Sequence, residues 1–451
     1  MAIGKSDDLE AFLGWVGRQN AGQAEYLQAV EDVVRDIWAE TLDTPAYARN
    51  QILQRLVEPD RIIRFKVVWQ DDLGQPHVER GWRVQHSNAI GPYKGGLRFS
   101  SDLNESVLKF LAFEQTFKNS LTGLPLGGGK GGATFTPRGR SDDEVMRFCQ
   151  SFMTELWTSI GPSEDVPAGD IGVGSREIGY LFGQYKRLTR RFEGALTGKG
   201  PTHGGSAVRS EATGYGAVMF LEAMLERAGR RLEGNTVAIS GSGNVSLHAA
   251  ERIIASGGLV ISLSDTGGVL HAPAGFDRDQ LARIKKLKLE DRGRLAEAAD
   301  MTGLEHIDDG KPWSLPCDIA MPCATQNELD ADDAKQLIEG GTIAVVEGAN
   351  MPCTPEAMSA FRSSTMLLAP AKAANAGGVA VSGLEMAQNA ARLSWSEDRV
   401  LGLLEETMLA IHDCCEDAGQ TSDGSRIDYV RGANIAGFRK VADAMVAHGL
   451  V

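Results

Sequence analysis

Cysteine is sparse in this chain, with six among 451 residues. Cys149, Cys317, Cys323, Cys353, Cys414 and Cys415 show no paired CxxC spacing with a set of histidine partners, so neither a metal site nor a disulfide framework is expected. An excess of positive charge is missing too. The 46 Lys+Arg stand against 60 Asp+Glu, a formal net charge of −14, which argues against wholesale attraction to nucleic acid or an anionic membrane and leaves only a local basic pocket for a small anion. No predominantly apolar stretch is long enough to span a bilayer, and Asp7, Asp8, Glu10, Arg18 and Glu25 interrupt what a secretory signal would keep apolar. A soluble cytoplasmic protein is the expectation. Low-complexity tracts and short repeats are also absent. Glycine is abundant by contrast, 53 residues against 16 prolines, in pairs and triplets that suggest tight turns and close backbone approach.

The length allows two or three domains, each able to bury a sizeable core. Leu27, Val30, Val33, Val34, Ile37 and Trp38 recur at helical spacing over residues 23–40. Strand-like segments at 62–69 and 77–88 flank Asp72, Gly74 and Pro76, which predicts a hairpin in a mixed sheet. Asp102 followed by Glu105 resembles a helix-opening capping box, and Phe110, Phe113, Phe117 and Leu121 mark one side of the helix it would begin, with Gln115 and Lys118 three apart. Near residue 235 the texture changes. Residues 236–240 read as a strand, 241–244 as a turn, 245–256 as a helix and 259–264 as a second strand, a βαβ unit. Short apolar runs at 317–322, 342–346 and 365–369 read as further parallel strands. The predicted domains are 1–204, completed by C-terminal helices over 376–451, and 205–375.

The segment Gly241-Ser242-Gly243-Asn244-Val245-Ser246 follows a strand and opens a helix, the setting in which glycines admit a pyrophosphate to a helix N-terminus. Asp265, 22 residues beyond Gly243, ends the next strand, and Ser246 replaces the third glycine of the fingerprint. Three lysines precede this domain: Lys94 in GPYKGGLRF, Lys118 in FEQTFKN and Lys130 in LPLGGGKGG. A solvated surface lysine is the bland reading of each. Lys130 differs, because the five glycines around it bare the backbone where something approaches closely. It is not a phosphate-loop lysine: Leu124 stands where that motif needs glycine and Gly131 where it needs Ser or Thr. A lysine that is crowded by cations or desolvated becomes useful in proton transfer. Asp170 in DVPAGDIGVG is its candidate acidic partner, with a turn or cap carboxylate as the alternative.

The runs GPYKGGLRF, FEQTFKNSLTGLPLGGGKGG, DVPAGDIGVGSREIGYL, RSEATGYG, GSGNVS, CDIAMPCATQNEL, EGANMP and KAANAGGVAVSGLEMAQNA resemble, in order from about residue 91 to about residue 390, the hexameric NADP-dependent glutamate dehydrogenases of the Glu/Leu/Phe/Val dehydrogenase family. Ser100-Ser101 and Ser210 depart from the His-Pro and Pro common in that family.

The resemblance implies an α/β fold in which a mixed-sheet substrate and oligomerisation domain and a Rossmann-like dinucleotide-binding domain meet at an active-site cleft. It implies reversible oxidative deamination of L-glutamate to 2-oxoglutarate and ammonia by a homohexamer. Lys94 would hold the distal carboxylate with Ser382; Gln115, Lys118 and the backbone of Gly169 would fix the α-carboxylate end; Lys130 and Asp170 would be catalytic. On the cofactor side it points to Arg209, Thr213, Asn244 and Asn350 around the fingerprint, with Ser264 and Lys288 near the adenosine ribose. The cofactor rule and the resemblance pull apart at one place. A carboxylate at Asp265 favours the 2′-hydroxyl of NAD, whereas relatives that carry Ser-Asp here use NADP, so NADP is expected ahead of NAD. The competing readings are a leucine, valine or phenylalanine dehydrogenase, in which Lys94 would be buried in an apolar pocket without a partner, and a nucleotide-binding regulator without catalysis.

Overall fold

In the computed structural model, which describes residues 7–421, 424 and 426–451, strands β1 (Arg61–Gln70) and β2 (Pro76–Ser87) form the expected hairpin, paired antiparallel from Arg61 opposite Gln85 to Gln70 opposite Pro76. Asp71 closes its turn, because Oδ1 accepts from the backbone N–H groups of Leu73 (2.9 Å) and Gln75 (2.8 Å). Strands β3 (Tyr93–Phe99), β4 (Gly128–Ala133) and β5 (Asp165–Gly169) complete a mixed sheet of order β1-β2-β4-β3-β5, with β3 parallel to both its neighbours.

Strand β4, GGKGGA, has no alternation to announce it. Its glycines are explained by its position between β2 and β3: a Cβ on Gly131 would lie 2.7 Å from the carbonyl oxygen of Trp82. What approaches the bare backbone around Lys130 is therefore the rest of the sheet. Helix Glu105–Leu121 packs on β2 and β4 and buries Phe110, Phe113, Phe117 and Leu121. Its cap is Asn104, whose Oδ1 accepts from Val107 N–H at 3.0 Å, and not the expected Asp102; Glu105 is the first helical residue and cannot serve as the third. An aromatic cluster of Phe99, Phe135, Phe148 and Phe152 joins the sheet to helix Asp142–Leu156, with Phe135 and Phe148 stacked 3.8 Å apart.

These elements belong to the first of two units, which takes the chain as far as Ala207 together with Val381–Val400 and Asn434–Val451. The second takes Val208–Ala380 and Leu401–Ala433. It holds β6 (Thr236–Ile239), β7 (Leu259–Asp265), β8 (Gly268–His271), β9 (Glu305–Asp308), β10 (Ile319–Met321), β11 (Ala344–Val346) and β12 (Leu367–Ala369), in the order β12-β11-β10-β6-β7-β8-β9. The strands from β12 to β7 are parallel, and β8 and β9 add an antiparallel edge. Strand order reverses at β6, with β7 on one side and β10 on the other. The carboxyl end of such a strand is where doubly wound sheets bind ligands. No helix among the described residues is long and apolar enough to cross a membrane.

Candidate active site

The two-residue period of β3 places Lys94, Gly96 and Arg98 on one side of the strand. Lys94 is 1% exposed, and its Nζ donates to Thr197 Oγ1 at 2.8 Å. The Asn119 amide donates to the carbonyls of Lys94 (3.1 Å) and Gly127, tying helix Glu105–Leu121 to β3 and to the approach to β4. Gln115 Nε2 in turn donates to Asn119 Oδ1 at 2.6 Å, and Lys118 is buried on the last turn of the same helix.

Lys130 on β4 meets Asp170, the residue after β5. Its Nζ donates to Asp170 Oδ1 at 2.9 Å, while Arg98 Nε donates to Oδ2 at 2.7 Å, so the carboxylate is bridged between two cations. Gly96 makes room for this: a Cβ there would come within 2.8 Å of Asp170 Cβ and 3.3 Å of Lys130 Nζ. Beneath them Arg83 and Asp165 form a fully buried pair, with Arg83 Nε donating to Asp165 Oδ2 at 2.8 Å and Arg83 Nη1 donating to the Gly95 carbonyl at 3.2 Å.

Burial lowers the Lys130 ammonium below its ordinary value. Asp170 opposes that shift, and Arg98 and Arg83 reinforce it by repulsion. Burial alone would raise the Asp170 carboxyl. The Arg98 guanidinium and the Lys130 ammonium, each hydrogen-bonded to it, outweigh burial and hold it well below the usual carboxylate range. The arrangement is an ionised carboxylate facing an amine that holds its proton less tightly than an ordinary lysine, a pair suited to moving protons. Ser382 is buried on helix Gly377–Ala391, and Gly169 ends β5.

In the second unit Gly241 takes the left-handed conformation (φ +81°) and opens the turn that β6 feeds. Gly243 caps helix Asn244–Ala255 with no side chain on the terminal N–H groups, and a Cβ on Gly243 would meet nothing within 4 Å. An open helix N-terminus beside a glycine turn at a sheet switch point fits a dinucleotide pyrophosphate. Ser242 is buried in the turn, Val245 lies in the first turn of the helix beside Gly348, and Asn244 Nδ2 donates to the Ser210 carbonyl at 2.6 Å. Ser264 Oγ accepts from Gly241 N–H at 2.8 Å, which fastens β7 to the turn. Thr213 Oγ1 and an Arg209 guanidinium nitrogen both lie beside Gly378, and Asn350 Oδ1 accepts from Asn375 Nδ2 at 3.1 Å.

Asp265 is occupied by its own chain. Oδ1 accepts from Gly267 N–H (2.9 Å); Oδ2 accepts from Leu295 N–H (2.9 Å) and from Lys288 Nζ (3.2 Å). Burial would raise this carboxyl, but these donors outweigh it and lower it. Lys288 sits in Lys286–Glu290, a π-helical turn of the kind found at functional sites, and also donates to the Gly293 carbonyl at 2.8 Å. Among the described residues no cluster of three His, Cys, Asp or Glu side chains is arranged to hold a metal ion.

Among the residues of these networks that escaped the sequence reading are Arg98, Thr197, Arg83 and Asp165. Arg98 was legible, four residues from Lys94 on the same strand. Thr197, Arg83 and Asp165 carried no local signal, because each meets its partner more than 80 residues away.

Residues 204–449 match the family model for Glutamate/Leucine/Phenylalanine/Valine dehydrogenase, and residues 59–187 match the Glu/Leu/Phe/Val dehydrogenase dimerisation domain. The chain is 54% identical over 443 residues to the NADP-specific glutamate dehydrogenase of Escherichia coli (strain K12), covering 98% of this chain and 99% of that protein. It is 50% identical over 445 residues to an NAD-specific glutamate dehydrogenase of Bacteroides fragilis, covering 98% and 100%. Among solved structures it resembles the glutamate dehydrogenase of Plasmodium falciparum with a TM-score of 0.95 and 45% identity, over 98% of this chain and 95% of that one. The chain belongs to the Glu/Leu/Phe/Val dehydrogenase family.

Proposed function

We propose that this chain is an NADP-dependent glutamate dehydrogenase that catalyses the reversible oxidative deamination of L-glutamate to 2-oxoglutarate and ammonia in the cytoplasm, in nitrogen assimilation. The observation that carries the choice of substrate is Lys94, an ammonium 1% exposed on β3 with a hydroxyl as its neighbour. A buried cation there suits a distal carboxylate, whereas an apolar leucine-type side chain would offer it no charge to meet.

In this reading Lys94, Thr197 and Ser382 hold the distal carboxylate. Lys118 and Gln115, with the Gly169 backbone, hold the α-carboxylate. Lys130 and Asp170 move the protons that deamination releases, Lys130 at the reacting carbon and Asp170 at the amino group. Arg98 keeps Asp170 ionised and aimed at Lys130. When bound, NADP supplies the hydride acceptor. The turn at 241–245 would receive its pyrophosphate, Thr213, Arg209 and Asn350 its nicotinamide end, and Ser264 and Lys288 its adenosine ribose. Donation to both Asp265 oxygens by Gly267, Leu295 and Lys288 supports NADP, because it orients and partly offsets a carboxylate that would otherwise favour a ribose hydroxyl and repel a phosphate. The first unit would also assemble the homohexamer, a role that Ile62, Val68, Leu73 and Val78, exposed along the β1–β2 hairpin, support. The test is oxidation of NADPH by the purified chain with 2-oxoglutarate and ammonium, each omitted in turn; absence of turnover with all three present rejects the reading.

A further inference from the structure

Helix Gly377–Ala391 carries Ser382 and, one turn later, Glu385, which is fully buried in the first unit. Glu385 is bonded to the segment that carries Thr197. Its Oε2 accepts from Gly198 N–H at 2.9 Å, and its Oε1 accepts from Lys199 N–H at 3.4 Å and from Lys199 Nζ at 2.7 Å. Lys199 is as buried as its partner, with side chains 1% and 0% exposed, and Nζ also donates back to the Leu196 carbonyl. Thr197, enclosed by these bonds, donates its own N–H to the Pro167 carbonyl on β5 at 3.0 Å and accepts from Lys94 Nζ at 2.8 Å. The same face of the helix holds the segment further along, where Asn389 Nδ2 donates to the Gly204 carbonyl (2.7 Å) and Gln388 Nε2 to Ser206 Oγ (2.7 Å).

A carboxylate and an ammonium are costly to bury, and a pair of apolar residues would hold a helix to a loop at least as well. What the ion pair adds is a fixed register: three bonds to one carboxylate leave segment 196–199 a single position against the helix. We propose that Glu385, paired with Lys199, is a positioning residue for substrate specificity, setting Thr197 and Ser382 in place so that they converge with Lys94 on the distal carboxylate of the substrate. The proposal rests on the glutamate reading above. Glu385 touches neither substrate nor cofactor in this role and acts through Thr197 and Ser382. A loosened pocket loses grip on the distal carboxylate while binding the rest of the substrate and the cofactor as before.

The test compares kcat/KM for 2-oxoglutarate with that for 2-oxopentanoate, which has the same chain length without the distal carboxylate, using NADPH and ammonium. Wild type, Glu385→Gln, Lys199→Arg and the double variant Lys199→Met/Glu385→Met are measured as intact oligomers. Glu385→Gln keeps the shape and loses the charge; the double variant leaves no buried charge unpaired, and so reports even where the single one folds poorly. The expected result is a fall in the 2-oxoglutarate to 2-oxopentanoate ratio of about tenfold or more in Glu385→Gln and in the double variant. It appears as a raised KM for 2-oxoglutarate, with the KM for NADPH within about twofold, and Lys199→Arg retains most of the ratio. A merely structural role would lower both substrates together and leave the ratio unchanged, which would overturn the proposal. A wild type with no preference for 2-oxoglutarate overturns the glutamate reading itself; a discriminating wild type whose variants keep the ratio overturns only the role of Glu385.

Discussion

Asp170 lies between Lys130 and Arg98, with Oδ1 2.9 Å from the amine and Oδ2 2.7 Å from the guanidinium. Neither oxygen of the carboxylate faces a neutral donor alone. Arg98 therefore shifts both members of the pair to which we assign proton transfer.

Replacing Arg98 with Met should move the pH profile to higher pH at both ends. Loss of the guanidinium removes the chief charge that lowers Asp170, so its carboxyl titrates higher; it also removes repulsion from Lys130, so that amine too titrates higher. The rate of deamination, which needs a base, then begins to rise at higher pH than in wild type. Measured kcat against pH for both proteins decides it, and superimposable profiles would remove Arg98 from the tuning.

Lys130→Ala should lose about 10²- to 10⁴-fold in kcat while binding NADPH as wild type does. Asp170→Asn, which keeps shape but cannot accept a proton, should fall by a similar factor. NADPH fluorescence titration separates binding from turnover. A folded Lys130→Ala within about twofold of wild-type kcat would exclude Lys130 from the chemistry.

Arg83 and Asp165 are both fully buried, so Arg83→Met should cost about 3–5 kcal/mol of stability by leaving a carboxylate unpaired beneath the site. Arg83→Met/Asp165→Leu should recover most of it. Chemical denaturation of the three proteins measures this, and a loss below about 1 kcal/mol in the single variant would show that the pair is not maintaining the sheet.

How far such relationships can be read in advance depends on the distance between partners. The roles of Lys94 and Asp170 come from the family resemblance, whereas the β1–β2 hairpin, the βαβ unit around Gly241 and the distinction of Lys130 among its glycines follow from patterns local in the chain. Strand β4 does not, because four glycines in six positions erase the alternation that marks a strand, and its cause is the main chain of β2 and β3. Asp102 and Asn104, two positions apart, are both residue types that cap helices, and only backbone geometry separates them. Glu385 and Lys199, 186 residues apart, leave no pattern at all. Asp265 shows the converse: its position was legible, but the donors that occupy it, Lys288 and the backbone of Leu295, come from a segment that folds back from more than 20 residues away.

For the cofactor, the ratio of kcat/KM with NADPH to that with NADH should exceed one in wild type and fall in Lys288→Ala. Removing Lys288 takes away a cation that can turn to the 2′-phosphate, while Asp265 keeps its bonds from Leu295 and Gly267. A wild-type ratio at or below one contradicts the NADP assignment. An unchanged high ratio in the variant would leave Ser264 as the residue to test.

Selection of a dicarboxylate by the buried ammonium of Lys94 is measured by kcat/KM for 2-oxoglutarate against 4-methyl-2-oxopentanoate, the oxo acid of leucine, in wild type and in Lys94→Leu. Wild type should prefer 2-oxoglutarate by about 10²-fold or more, and the preference should flatten or invert in the variant. Equal efficiency on the two oxo acids in wild type, or a preference that survives the loss of Lys94, would contradict that selection.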